Sequence, residues 1–182
     1  SQFLPAGGDL SPVARAYVRA RAGGRMSSFG DFAAVSDVVD ASLARVLRRE
    51  VSDGIIAPGY EPEALDVLKA KNGGEVRVLE VDADYDPPAR ERRELYGFTL
   101  EQDANLAPVT REMIREGNVP TRNKSLPDDI VETLVVGTIA LKYTQSNSVC
   151  VCYDGQVVGM GAGQQSRIHC TRLACDKAEK WL

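Results

Sequence analysis

Histidine is almost absent from this chain: His169 is its only one, and none of its four cysteines forms a CxxC pair. Cys150 and Cys152 alternate with Val149 and Val151 in a short apolar run, which predicts a strand buried on both faces, where thiols act as small hydrophobes. Cys170 and Cys175 lie five apart on a predicted helix and so point to different faces, which argues against zinc ligation and against a disulfide. Free thiols in a reducing compartment are the expectation, with no metal site. A basic excess is also missing. Lys and Arg total 22 against 26 Asp and Glu, a formal net charge of -4, so the chain has no overall field to draw nucleic-acid phosphates. No apolar run reaches membrane-spanning length, and SQFLPAGGDL has neither the basic start nor the apolar core of a signal peptide, so no membrane partner and a cytosolic location are expected. The chain does not begin with methionine, which suggests an excised piece.

What is present fits a globular chain: 182 residues, 43% hydrophobic and 26% charged, enough for one sizeable core or two small lobes. Ser11-Pro12 predicts a capped helix that ends at Gly23-Gly24. Val13, Ala14, Ala16, Tyr17 and Ala20 form its apolar side, and Arg15, Arg19 and Arg21 read as a solvated face. RMSSFGDFAAVSD reads as a loop feeding a strand. Asp40 or Ser42 caps a second helix with Leu43, Val46 and Leu47 inward, and Gly54 to Ala57 is a short buried strand closed by Pro58-Gly59. Pro62 opens a third helix, Asn72-Gly73-Gly74 stops it, and Val76 to Val81 is another strand. This alternation predicts an α/β layered domain with a largely parallel sheet. DADYDPP, residues 82–88, breaks the rhythm and marks a lobe boundary. Beyond it, Glu94 to Leu100 reads as a strand, and the polar residues to about Asn123 carry no clear pattern. Ser125 to Asp128 has the form of a capping box before an almost wholly apolar helix, Ile130 to Tyr143, expected to be covered on several sides.

Chemistry is densest from Lys142 to Arg167, KYTQSNSVCVCYDGQVVGMGAGQQSR. Asp154-Gly155 between SVCVCY and QVVGMG is a two-residue hairpin signal. Gly159, Gly161 and Gly163 then allow the backbone to pass close to another group, and Gln164 to Arg167 opens a helix whose first amides lack partners, a place suited to an anion or polar ligand. The last helix continues from Asp176 to Trp181 and reaches the chain end without a capping signal, which again suggests truncation.

KYTQSNSV, GAGQQSRIHCTRLA, RMSSFGDF at Arg25 to Phe32 and REVSDGIIAPGY at Arg49 to Tyr60 together resemble the AICAR transformylase part of the bifunctional AICAR transformylase/IMP cyclohydrolase family. The blocks follow the family's order, and the likeness runs over nearly the whole chain from Leu10 onward. The resemblance implies cytidine-deaminase-like three-layer α/β/α lobes in tandem, with residues 1–86 the second half of one lobe and 87–182 the first half of the next. It implies formyl transfer from 10-formyltetrahydrofolate, a cosubstrate, to the amine of the AICAR nucleotide in purine biosynthesis, without metal and in a homodimer. The cyclohydrolase part of that family has no counterpart here. By position in the matching blocks, Gly30, Asp53, Asn147 and Arg167 are implied to contact the nucleotide, with Asn147 also taking part in catalysis. Met26, Phe29 and Ile168 are implied to line the folate side.

Each assignment has a plainer counterpart. Asn147 can tie a helix end to a strand. On the ligand reading, its carboxamide donates to one oxygen while accepting from an amine. Asp53 in SDG can be a turn residue, and the two roles are compatible. Arg167 in a first helical turn is disfavoured by the helix dipole, which points to a ligand carbonyl or anion as its reason; its plainer counterpart is an exposed salt bridge. Gly30 can admit a flat base under Phe29 or serve packing. Deaminases share the implied fold, but their H-x-E and P-C-x-x-C signature is absent, because Cys170 and Thr171 follow His169; a zinc deaminase is rejected. A non-catalytic nucleotide-binding or dimerisation fragment remains the alternative. The family carries a Lys-His pair in a KHVSPAG-like block for moving protons, and no such pair occurs here, so the chain alone is expected to have little or no activity.

Overall fold

The computed structural model describes residues 10–24, 28–115 and 118–181. Helix α1 (Pro12–Arg21) starts as the sequence predicts: Ser11 Oγ accepts from the Ala14 amide at 3.3 Å and Pro12 occupies the first turn. Asp40 caps α2 (Ala41–Arg49) by accepting from the Leu43 amide at 2.8 Å, and Pro62 opens α3 (Pro62–Lys69). Between and after them run β1 (Asp31–Ala34), β2 (Ser52–Ala57) and β3 (Arg77–Glu80), paired in parallel in the order β1-β2-β3.

The period of the strands decides the core. Ala33, Ile55 and Val78 stand in register on one face and, with Ala57, meet Ala14, Tyr17, Leu43, Leu47, Ala64 and Leu68 of the helices in one apolar cluster. On the other face Phe32 lies across Gly54, where an added Cβ would come within 2.3 Å of the ring. Phe32, Ala34 and Leu79 on that face are exposed. Lys71, only 3% exposed, reaches under the start of β2 and donates to the Glu50 and Ser52 carbonyls at 2.9 and 3.1 Å.

A second unit of three layers forms near the C-terminal end. Strands β6 (Val149–Tyr153) and β7 (Gln156–Gly161) pair antiparallel around Asp154-Gly155, both with positive φ (48° and 66°), as an Asp-Gly two-residue turn requires. Helix α5 (Asp128–Lys142) lies on the cysteine face: Gly137 leaves room for Cys150 and Cys152, and a Cβ there would stand 2.7 Å from Cys152 Sγ. Helix α6 (Arg167–Glu179) lies on the opposite face, where Gly159 and Gly161 bring the strand against helix backbone; a Cβ would fall 2.1 Å from the Ala174 carbonyl oxygen and 2.0 Å from that of Cys170. The chain is thus of the mixed α/β class, with parallel strands and helices and with a helix-sheet-helix sandwich that fits an α/β/α fold.

Several expectations need correction. Residues 94–100 are not one strand: β4 (Arg90–Leu95) turns back at Tyr96-Gly97 into β5 (Phe98–Asp103), a separate antiparallel hairpin. Helix α4 (Arg111–Arg115) occupies part of the stretch that had no pattern. Pro127, not Ser125, precedes α5, and no side chain caps it, because a proline at the N-cap position has no side-chain oxygen to accept from the first-turn amides. α5 buries Val131, Thr133 and Gly137 but leaves Ile130, Leu134 and Ile139 exposed, so it is covered on one side among the described residues. β6 has a helix on each face yet is only half-buried. The last helix begins at Arg167, not Gln164; the close approach expected at Gly159 and Gly161 is made by the backbone of that helix. Finally, Arg21 is no part of a solvated face: its side chain is 12% exposed and ion-paired.

Candidate functional site

The sequence-predicted site residues fall into two groups. The first sits where α1, β1 and β2 meet. Gly30 adopts φ 70°, a conformation open to glycine, and donates its amide to the Val51 carbonyl at 2.9 Å. A Cβ on Gly30 would lie 3.5 Å from Asp53 Oδ2, so the two residues adjoin. Asp53 is exposed at the start of β2, and Phe29 next door is 76% exposed, its ring free for a partner. Met26 lies outside the described residues.

Behind this group the side chains are crowded and charged. Arg21 Nη1 stands 2.5 Å from Asp31 Oδ1, an ion pair whose N–H direction is too poor for an aligned hydrogen bond, and Arg21 Nε lies 3.1 Å from Glu50 Oε2. Arg21 Nη1 also donates to Tyr17 Oη at 2.9 Å, Arg21 Nη2 donates to the Ser28 carbonyl, and Tyr17 Oη in turn donates to Asp31 Oδ2 at 3.2 Å. Burial pushes the Tyr17 hydroxyl up to about 12; the Arg21 charge works against that shift and the Asp31 charge adds to it. Burial opposes the Arg21 charge, but the close contact with the Asp31 carboxylate and the neighbouring charges outweigh it and raise the guanidinium further. Sequence reading missed this cluster because Asp31 and Glu50 lie 10 and 29 residues from Arg21 along the chain, beyond any helical periodicity.

The second group gathers at the N-terminus of α6. Asn147 Nδ2 donates to the Gln164 and Gln165 carbonyls at 3.0 and 3.3 Å, its amide donates to Gln164 at 3.2 Å, and its own carbonyl accepts from Cys170 Sγ at 2.9 Å. Both side-chain protons are spent on backbone, so the tying role of Asn147 is real. Its Oδ1 accepts nothing from the described residues, which leaves acceptance, not donation, for a ligand. Gly163, with φ 65°, donates to the Gln145 carbonyl at 2.9 Å and closes the loop. Arg167 begins the helix, exposed, and its guanidinium has no ion-pair or hydrogen-bond partner among the described residues, so none of these supplies the surface salt bridge that would have explained it. Ile168 beside it is 65% exposed. His169 is exposed on the same turn.

No hydrogen bond or ion pair joins the two groups among the described residues. The halves of the chain touch elsewhere: the turn of Ala22–Gly24 rests on β7, and Arg19 binds both the carbonyl and the carboxylate of Asp154. A crevice of about 700 Å³ opens there, with Arg21 and Asp31 on one wall and Ile139, Gln156 and Met160 on the other. None of the predicted site residues that the structure describes lines it. Among the described residues no group of three or more His, Cys, Asp and Glu is placed to hold a metal ion, and no helix is long and apolar enough to cross a membrane.

Comparison with known proteins adds what the geometry leaves open. The model of the AICARFT/IMPCHase bienzyme family matches residues 4–177. The bifunctional purine biosynthesis protein PurH of Sorangium cellulosum (strain So ce56) is 34% identical over 170 residues, covering 91% of this chain and 31% of the relative. PurH of Cereibacter sphaeroides (strain ATCC 17029 / ATH 2.4.9) is 32% identical over 169 residues, 92% of this chain and again 31% of the relative. The chain therefore spans about a third of the length of the curated relatives it matches.

Proposed function

The chain belongs to the AICARFT/IMPCHase bienzyme family, and from that premise we propose that it serves purine biosynthesis as a segment of the formyl-transferring part of such an enzyme. The donor is 10-formyltetrahydrofolate, the acceptor the AICAR nucleotide, and no metal takes part. The reading divides the chain into two deaminase-like lobes, 1–86 and 87–182, in keeping with the separate strand pairings on either side of Pro87-Pro88. It also takes the working protein to be a cytosolic homodimer.

The observation that carries this reading is that, among the described residues, the Arg167 guanidinium and Asn147 Oδ1 have no partner, while Asn147 is tied to the segment that leads into Arg167. In the transfer, the amine nitrogen of the acceptor attacks the formyl carbon, a new C–N bond forms, the bond from that carbon to N10 of the folate breaks, and the amine proton passes to N10. Asn147 Oδ1 accepts an N–H of that amine and turns its lone pair toward the carbon. Arg167 offers a planar set of donors to a carbonyl or anionic oxygen of the nucleotide. Gly30 and Asp53 contact the nucleotide from their own group, while Phe29 and Ile168 supply exposed apolar area for the folate ring; Met26 is assigned with them.

A second reading, a non-catalytic nucleotide-binding or dimerisation segment, is favoured by one fact: His169, the single histidine, is exposed on α6 and makes no hydrogen bond to a described residue. Proton transfer in the reaction needs a group tuned and placed for it. One experiment addresses both readings. The purified chain, checked by intact mass, is titrated with AICAR nucleotide and assayed for formyl transfer beside the full-length protein. Nucleotide binding with little or no turnover by the chain, and turnover by the full-length protein, is the expected result. Turnover by the chain equal to the parent's overturns its expected inactivity, and no binding or turnover in either overturns the assignment.

A further inference from the structure

We infer that Arg21 is a positioning residue that sets the conformation of the Ser28–Asp31 loop, and through it the nucleotide-facing Gly30 and folate-facing Phe29; that consequence for ligands rests on the function proposed above. Arg21 reaches both ends of the short loop: Nη2 donates to the Ser28 carbonyl on one side of Phe29-Gly30, and Nη1 pairs with the Asp31 carboxylate on the other. Its Nε lies against Glu50, the residue before Val51, whose carbonyl receives the Gly30 amide. Ser52 Oγ donates to the Asp31 carbonyl at 3.2 Å, which ties the same loop to β2 just ahead of Asp53. One guanidinium thus links α1, the loop and the entry to β2.

Charge explains why this residue and not a neighbour holds the loop. Asp31 and Glu50 are two carboxylates brought to one cation, so removing the cation leaves two like charges that repel, one at the loop and one at β2. The planar guanidinium meets four partners in different directions at once, which a single ammonium cannot do. Tyr17 closes the far side of the cluster, accepting from Arg21 and donating to Asp31.

The test uses the full-length protein and two readouts. Amide hydrogen exchange at Gly30, whose N–H is held by Val51, is measured in wild type, Arg21→Met, Arg21→Lys and Arg21→Met/Glu50→Gln. A control, Leu68→Ala, lowers global stability from the same apolar core without touching the loop. Arg21→Met is expected to raise the Gly30 exchange rate about tenfold or more beyond the control, with partial return in Arg21→Lys and in the double variant, which removes one of the opposed carboxylates. In parallel, KM for AICAR nucleotide is expected to rise about tenfold in Arg21→Met with a smaller fall in kcat. Gly30 exchange equal to that of the control overturns the inference. If wild type neither binds nor uses the nucleotide, the functional reading falls, while the exchange data still decide whether Arg21 holds the loop. If Gly30 exchange rises but KM and kcat stay at wild-type values, the link from loop to ligand is overturned.

Discussion

The two groups of candidate ligand residues are held in opposite ways. Around Gly30, side chains do the holding: a largely buried guanidinium, two carboxylates and a tyrosine hydroxyl gather behind a loop whose Gly30 amide bonds the Val51 carbonyl at the entry to β2. Around Asn147, backbone does it: an asparagine spends its donors on two carbonyls, and a helix lies directly on strand glycines. A charge cluster depends on pH and on a few residues far apart in sequence, whereas backbone contact depends on the absence of side chains. Mutations should therefore break the groups separately.

The largest effect is expected at Gly161. An alanine there puts Cβ on the Cys170 carbonyl, where no flexible atom can give way, so Gly161→Ala should cost about 3 kcal/mol, the upper end of overpacking penalties. Denaturant unfolding measures it. The comparison gains force if the Asn147 amide loses protection in this variant while the Gly30 amide keeps it; loss at both would mean that the groups are not held independently.

A smaller and sharper effect separates Asn147 from Arg167. Asn147→Ala removes one part-buried and one exposed hydrogen bond to backbone carbonyls and should destabilise the protein by about 1–3 kcal/mol. Arg167→Ala touches an exposed side chain with no partner among the described residues and should change stability by no more than about 0.5 kcal/mol. Both should weaken nucleotide use in the full-length protein. Equal stability losses would show that Arg167 has a structural partner, and unchanged kinetics in Arg167→Ala would make it an ordinary surface residue.

The smallest effect is a titration. Tyr17 ionises at about 12 in the fold against an ordinary value of 10.0. The folded state therefore holds the phenolic proton more tightly than the unfolded chain does, and the contribution is complete below pH 10 and lost as pH rises toward 12. Difference titration of tyrosinate absorbance between wild type and Tyr17→Phe should show the missing group as a late one, ionising above the ordinary tyrosine value of 10.0. A missing group that titrates near 10 would mean that the cluster behind Gly30 is open to water.

How far the sequence foretold all this depends on the range of the cause. Ser11, Asp40 and Asp154-Gly155 act on residues next to them, and the helix starts and the hairpin they predict are where the structure puts them. Tyr96-Gly97 is as tight a turn, but tyrosine at φ 50° is no standard turn residue and the flanking RERREL carries no apolar alternation, so the hairpin went unread. Ser125 had the letters of a capping box, yet the proline two places on overrides it. At the candidate site, the clustering of Asn147 with the Gln164 to Ile168 segment was foreshadowed by the hairpin between them, while the spending of the Asn147 donors on backbone was not, because either use of a carboxamide satisfies the same sequence. The Arg21 cluster was invisible for the reason that makes it strong: its partners come from three different elements.

Lys71 gives the fold a built-in reporter. Two residues before it, Lys69 projects into solvent, whereas Lys71 keeps its amine under the Glu50 and Ser52 carbonyls. An acylating reagent will mark Lys69 and pass over Lys71 for as long as those carbonyls stay in place. The ratio of the two labels is thus a chemical footprint of the seam where β2 begins, readable by mass spectrometry on unmutated protein, and it reports on the strand that presents Asp53 without touching any residue assigned to a ligand.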